Sequence, residues 1–199
     1  MKTLTQNQAE KDLEPYLPLI STAIRNGFSD FLKLQQQTNA AGLPVEYSIR
    51  TKAGIIHDCT KTHIQNAFRS TPNVKVGVFN KLFGICIPDI AFIRFKKFKK
   101  DLSTSNVQTK QTKLYNQQTQ IVGLPEAPAY LYAGYRPNAT WTDLEDIFIV
   151  NRRSSVIEWA ISLNKYSTEQ VVIPFTINSP TEQPRVTIKP GLLEERKTS

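Results

Sequence analysis

The chain has 199 residues, of which 40% are apolar and 10% aromatic, and this is enough to build an ordinary hydrophobic core. It contains no run of 18 apolar residues, and its opening MKTLTQNQAEKDLE has no apolar segment typical of a signal peptide. We therefore expect a cytoplasmic protein that does not enter a membrane.

The charge is distributed unevenly along the chain. The formal net charge is +8, and residues 51–100 contain ten basic and only two acidic residues, whereas the other quarters are nearly balanced. Clustered cations attract polyanions because binding releases counterions, so nucleic acid is the first partner predicted and an acidic protein or lipid surface the second. The alternative is a solvated charge run on an edge strand, where lysines prevent aggregation.

The N-terminal part of the chain predicts two helices. Residues 1–12 are polar and predict a flexible start. Apolar residues then recur at steps of three and four, which predicts a helix over about 14–37, and a second pattern of this kind predicts a helix over about 52–69. His63 lies among apolar neighbours of the second helix and reads as a hydrogen-bonded core or boundary histidine, whereas His57 lies off that stripe beside Asp58 and faces a groove in our interpretation.

The period changes from helical to two after Pro72, which predicts an antiparallel meander of three strands. Asn80-Lys81 fits a two-residue hairpin turn, and Pro88-Asp89 fits the next turn. The third strand runs into the densest cationic cluster of the chain, which we predict forms a surface patch that contacts phosphates. Its members are Arg94, Lys96, Lys97, Lys99 and Lys100.

The amide-rich segment 101–120 is too long for a turn and predicts a crossing segment with a helical turn near 110–117. Its Asn106 and Gln111 are further candidates for contacts to nucleic acid. Strands are then predicted over 129–135, 144–150 and 156–163, with Ile157 and Trp159 on the same buried face. Arg152 and Arg153 are placed in an exposed turn that joins the basic surface.

These elements together predict an α+β fold, in which N-terminal helices pack on one face of a mostly antiparallel sheet of about six strands. The domain is expected over residues 13–175. Prolines and polar residues dominate the end of the chain, so residues 176–199 are predicted to form a mobile tail.

Established catalytic motifs are missing. The sequence has no Gly-rich phosphate loop, HExxH, GxSxG or metal-ligand cluster, so no metal or other cofactor is predicted, and Cys59 and Cys86 read as buried reduced thiols. An enzyme alternative remains in the layout of small metal-independent ribonucleases. In that case His57 or Tyr135 would act as acid or base, and cations would stabilise the phosphorane. These cations would be Arg94, Lys96 and Arg136.

Four segments carry a resemblance to known sequences, namely RTKAGIIHDCTKTHI, IRFKKFKKDLSTSNVQT, AGYRPN and VIEWAISL. Over residues 50–163 the chain resembles a family of small uncharacterised bacterial proteins from mobile-element and prophage-like neighbourhoods. The resemblance implies a bacterial or phage setting, such as a defence or toxin–antitoxin module, and attaches no activity. The characteristic positions would be His57, Asp58, Arg94, Lys96, Lys97, Asn106, Gln111, Tyr135 and Arg136.

The function predicted is therefore nucleic-acid binding or regulation within a mobile element, through the basic patch. A metal-independent endoribonuclease is the first alternative. The second is a subunit that binds an acidic protein, such as a partner encoded in the same operon.

Overall fold

The computed structural model describes residues 4–43, 45–105, 107, 109–127 and 129–166. The predicted tail over 176–199 and the last part of the predicted domain lie outside these residues. The elements in chain order are α1 (Gln6–Leu13), α2 (Leu17–Ala40), α3 (Ile49–Ala67), β1 (Lys75–Phe79), β2 (Leu82–Ile87), β3 (Ala91–Lys97), α4 (Lys110–Asn116), β4 (Tyr130–Pro137), β5 (Leu144–Arg153) and β6 (Val156–Ser162), followed by a short 3-10 helix (Asn164–Tyr166).

The predicted α+β class is confirmed. The six strands form one sheet in the order β1-β2-β3-β4-β5-β6, and all neighbours are antiparallel except β3 and β4. Asn80 and Lys81 both have positive φ, of 44° and 66°, which is the conformation of the type I′ turn that two-residue hairpins use. The predicted hairpin is therefore present between β1 and β2.

The start of the chain is helical where the sequence predicted a flexible segment. Thr5 caps α1 by accepting a hydrogen bond from the Gln8 amide, and Ala9 and Leu13 are fully buried. Pro15 then separates α1 from α2, because a proline inside a helix removes a hydrogen bond and clashes with the preceding turn. Trp159 is buried as predicted, and its indole Nε1 donates a hydrogen bond to the Leu4 carbonyl at 2.8 Å.

The sheet is buried on both faces at its centre. Helices α2 and α3 cover one face, and the core there contains Ile24, Phe28, Ile56, Ile64, Ile93, Phe95, Leu131 and Ile149. The connection from β3 to β4, which includes α4, covers the other face with a second core around Phe92, Phe98, Tyr115, Tyr130 and Tyr132. The crossing segment predicted from the sequence is thus a packed layer.

The prediction that Ile157 and Trp159 share a face is wrong. The register between β5 and β6 shifts between Asn151, which faces Trp159, and Arg152, which faces Ile157. This bulge inserts one extra residue, and an extra residue reverses the alternation of side chains beyond it. Ile157 consequently packs against the second core, whereas Trp159 belongs to the first.

Two helical glycines offer a test of the contact between α2 and α3. A Cβ on Gly27 would lie 2.7 Å from the backbone nitrogen of Thr60, whereas a Cβ on Gly54 would meet nothing within 4 Å. Gly27→Ala should therefore destabilise the protein by about 1–3 kcal/mol through overpacking. Gly54→Ala should stabilise it by about 0.5–1 kcal/mol, because alanine favours a helix. Chemical denaturation of both variants measures this, and equal stabilities would contradict the close packing.

Candidate anion-binding site

The candidate site lies where β2 and β3 separate. The pairing of the two strands ends at Gly84 and Arg94, while Leu82 and Phe83 pair only with β1. The hairpin β1–β2 therefore diverges from β3, which continues alongside β4 as far as Lys97. The divergence leaves a gap in the sheet between Phe83 and the end of β3.

This gap holds a cavity of about 320 Å³, which we call the cationic cleft. Its size is at the lower end of the ~300–1,000 Å³ typical of small-molecule sites. Helix α3, the β1–β2 hairpin and β3 contribute its lining, which consists of His57, Asp58, Lys61, Val78, Lys81, Leu82, Phe83, Arg94, Phe95 and Lys96.

The cleft concentrates positive charge without matching negative charge. Four cations line it, and Asp58 is its only carboxylate. Among the described residues, the ion pairs are confined to other parts of the molecule and include none of these four cations. The cations are Lys61, Lys81, Arg94 and Lys96. An anion that entered the cleft would therefore find unpaired cations there.

Arg94 is the most deeply buried of these cations. Its residue surface is only 8% exposed, and its guanidinium carbon lies 5.0 Å from the ring centre of Tyr115 and 5.9 Å from that of Tyr132. The rings offset part of the cost of burying the charge. One guanidinium nitrogen, Nη1, is buried and has no hydrogen-bond partner in the described part of the chain. Such an atom costs free energy unless a ligand accepts its hydrogen bond.

Burial and like charges alter the ionisation of the groups around the cleft. Burial, together with the Arg94 guanidinium, lowers the pKa of Lys96 to about 8. Burial and the Lys96 charge lower the pKa of His57, with only a partial opposing effect from Asp58. The His57 ring also packs edge-on against Phe83, at 6.2 Å between ring centres. The imidazole is therefore biased toward its neutral form.

Tyr135 lies beside His57 and Lys96, but on the helix side of the sheet. The three line a second cavity of about 20 Å³, which is roughly the space of one water molecule. The Tyr135 hydroxyl is buried without a hydrogen-bond partner among the described residues, and burial raises its pKa. Lys97 also lines this cavity, so the structure brings together both predicted acid/base candidates and two predicted phosphate contacts, Lys96 and Lys97.

The remaining lysines of the predicted patch lie apart from the cleft. Lys97 points to the opposite face of β3 from Lys96, and its Nζ lies 5.3 Å from the ring centre of Trp141, with Lys52 at 5.6 Å from the same ring. Lys99 and Lys100 are exposed in the turn after β3. The five cations of the sequence cluster therefore occupy three places.

The other predicted contacts are distributed over the molecule. Arg136 pairs with Glu145 and Asp146. Arg152 and Arg153 are the last residues of β5 and not turn residues as predicted, because both pair with β6. Arg153 pairs with Glu158, and Arg152 donates to the carbonyl of Ser154 in the turn that follows. Gln111 donates to the Asn80 carbonyl at 2.9 Å and so holds α4 to the β1–β2 turn. Asn106 lies outside the described residues. None of Gln111, Arg136, Arg152 and Arg153 lines the cleft.

The lining residues that the sequence did not predict include Lys61, Lys81 and Phe83. Lys81 was recognised only as a turn residue, and Phe83 only as a strand residue. No local signal indicates where β2 leaves β3, because strand pairing depends on partners distant in sequence. His63 behaves as predicted and forms a 2.6 Å hydrogen bond with Asp30 of α2.

No protein family, curated protein or solved structure matches this chain. The described residues contain no group of three or more His, Cys, Asp or Glu side chains that could hold a metal ion. Within the same residues, no helix is both long and apolar enough to cross a membrane.

The lowered pKa of Lys96 should make the stability of the folded protein depend on pH. Because its folded-state pKa is about 8 and its unfolded value is near 10.5, the folded protein releases this proton first as pH rises. The contribution of Lys96 to wild-type stability should therefore increase between pH 8 and about pH 10.5. Lys96→Met should be more stable than wild type at pH 7, since it removes a desolvated charge, and this advantage should shrink toward pH 10.

Denaturant titrations of both proteins across this pH range measure the effect. The difference between the two proteins isolates Lys96 from the thiols and tyrosines, which are common to both. A difference that stays constant from pH 7 to pH 10 would show that Lys96 is as well solvated as a surface lysine.

Proposed function

We propose that this protein binds nucleic acid, with the cationic cleft as the centre of the binding surface. The observation that carries the proposal is the convergence of four cations on one cavity that contains a single carboxylate. One of these cations, Arg94, is buried, and its Nη1 has no hydrogen-bond partner among the described residues. Like charges buried side by side repel each other, so the site is complementary to an anion.

The surroundings of the cleft favour a polyanion over an isolated ion. Lys99 and Lys100 are exposed where β3 ends, and residues 51–100 hold ten basic against two acidic residues. A phosphate backbone that crosses this surface would release counterions at several points. A bacterial mobile-element setting, with a role in regulation, defence or a toxin–antitoxin pair, fits such binding and remains part of the proposal. An acidic protein encoded nearby is the competing partner.

The salt dependence of binding tests the cleft directly. Replacing both Lys61 and Lys96 by Gln should reduce the slope of log affinity against log salt by about 0.7–0.9 for each phosphate that the variant no longer neutralises. Fluorescence anisotropy with labelled single-stranded and duplex oligonucleotides, over a series of salt concentrations, measures the slope.

Two further variants make this test specific. Lys33→Gln removes a cation from the exposed side of α2, outside the cleft, and should leave the slope unchanged. Replacing Lys99 and Lys100 by Gln tests whether the exposed turn after β3 also contacts the nucleic acid. An unchanged slope in the Lys61 and Lys96 variant would remove the cleft from the binding surface. Binding of an acidic protein but of no nucleic acid would favour the competing partner.

Metal-independent RNA cleavage is a second candidate, because His57 shares the cleft with Arg94 and Lys96. A neutral imidazole beside two cations has the groups needed to accept the 2′-OH proton and stabilise a phosphorane. However, no described side chain hydrogen-bonds to His57 and orients its ring, as a catalytic base usually requires. Binding without cleavage is therefore the preferred function.

Incubation of the protein with labelled RNA and DNA, with and without EDTA, distinguishes the two candidates. We expect both substrates to remain intact. If the protein is a ribonuclease, RNA will be cleaved in EDTA, and His57→Gln will reduce the rate by about 10²–10⁴-fold while affinity and fold are preserved. That result would replace the binding function with the enzymatic one.

A further inference from the structure

The position of Arg94 restricts what kind of phosphate can reach it. The guanidinium is 8% exposed and is packed beside the rings of Tyr115 and Tyr132, at the end of the β2–β3 pairing. A phosphate on the outer surface would meet Lys99 or Lys100 but not this group. Because Arg94 is one of the residues that line the cavity and is otherwise covered by protein, contact with its guanidinium requires a ligand group that enters the cavity.

An internal phosphodiester is poorly suited to such entry. It is joined to a sugar on both sides, so the chain would have to enter and leave the same cavity of about 320 Å³. A phosphate at the end of a strand has one attachment and can enter alone. We infer that the cationic cleft binds the terminal phosphate of a nucleic-acid strand, an inference that rests on the proposed function.

The charge of the cleft supports this assignment. A phosphomonoester has a second pKa near 6 and carries about −2 at pH 7, whereas an internal phosphodiester carries one negative charge. Four cations face one carboxylate in the cleft, so the more highly charged group is favoured. The guanidinium of Arg94 also offers paired N–H donors that match two phosphate oxygens.

The wall of the cleft offers a surface for the nucleotide that carries the phosphate. Phe83 is half-buried between His57 and Lys61, with the Lys61 Nζ at 5.5 Å from its ring centre. Aromatic rings of this kind stack on bases without regard to sequence. The terminal phosphate would thus lie at Arg94, and the first base would lie against Phe83 once Lys61 turns from this ring toward the phosphate.

Four labelled oligonucleotides of one sequence test the inference. One carries a 5′-phosphate, one a 3′-phosphate, one has hydroxyls at both ends, and the last is a duplex with hydroxyl ends. At pH 7 we expect at least one phosphorylated strand to bind about tenfold or more tightly than the hydroxyl strand, as for the gain of a charge-assisted contact. The better of the two identifies the end that is recognised.

Variants assign the preference to the cleft. Arg94→Lys keeps the charge but removes the paired donors, so the preference for phosphorylated ends should fall to near unity. Thermal unfolding verifies that this variant is folded. Lys96 is less buried than Arg94, so Lys96→Gln is a second variant in which the preference for phosphorylated ends should fall. Lys33→Gln should retain the full preference. Adenosine 5′-monophosphate and inorganic phosphate, used as competitors, should displace the phosphorylated strand without any mutation.

The possible failures are distinguishable. Equal affinity for phosphorylated and hydroxyl strands would overturn this inference and leave the proposed function standing. Absence of binding to every strand would overturn both, whether or not the mononucleotide binds. A preference that survives in both cleft variants would place end recognition elsewhere on the protein and would also overturn the inference.

Discussion

The parallel pairing of β3 with β4 is the constraint on which the rest of the structure depends. Parallel neighbours cannot be joined by a tight hairpin, so the chain must cross over the sheet between them. The crossover places Tyr115 over the seam, where its hydroxyl lies 2.6 Å from the Leu131 carbonyl and 3.0 Å from that of Phe92 and donates to these strands. The same ring lies against Arg94, so Arg94 is buried because the crossover covers it. On a sheet with one open face, this guanidinium would be in water.

The arginines of this protein occupy two different electrostatic environments. Arg136 and Arg153 lie beside carboxylates, and partly exposed pairs of this kind contribute little net stability and leave little charge for a partner. Arg94 has aromatic rings and a neighbouring lysine instead, and that arrangement raises the free energy of the charged form of Lys96. Such an environment weakens the folded protein unless an anion compensates it. Such a loss of stability is typical of groups that are arranged for a ligand. Charges that have no partner in the unbound protein can gain one when the ligand binds, and this gain contributes to the binding free energy.

The sequence predicted the elements that depend on local signals. The Asn80-Lys81 turn, the helical turn at α4 and the period-two strands each follow from a few adjacent residues, and all are present. It was less informative where the outcome depends on distant contacts. The helix α1 is too polar to be noticed, although its few apolar side chains are buried beneath it, and the bulge that turns Ile157 to the other face adds one residue without a glycine or proline to mark it. The cleft belongs to this second class, since the place where two strands separate is a property of the whole sheet.

The basic cluster of β3 shows why the number of charges along a strand does not give the number of charges on any one surface that a partner could contact. Adjacent residues of a strand point to opposite faces, so Lys96 and Lys97 serve different surfaces although they are neighbours in sequence. Lys97 packs over Trp141, while Lys96 joins Lys61 and Lys81, which are distant in sequence. The cations that converge thus come from a helix, a turn and a strand, and a rigid sheet fixes only those on β3. A site built in this way holds an inserted anion from several directions, whereas a linear run of lysines on the surface would attract one without orienting it.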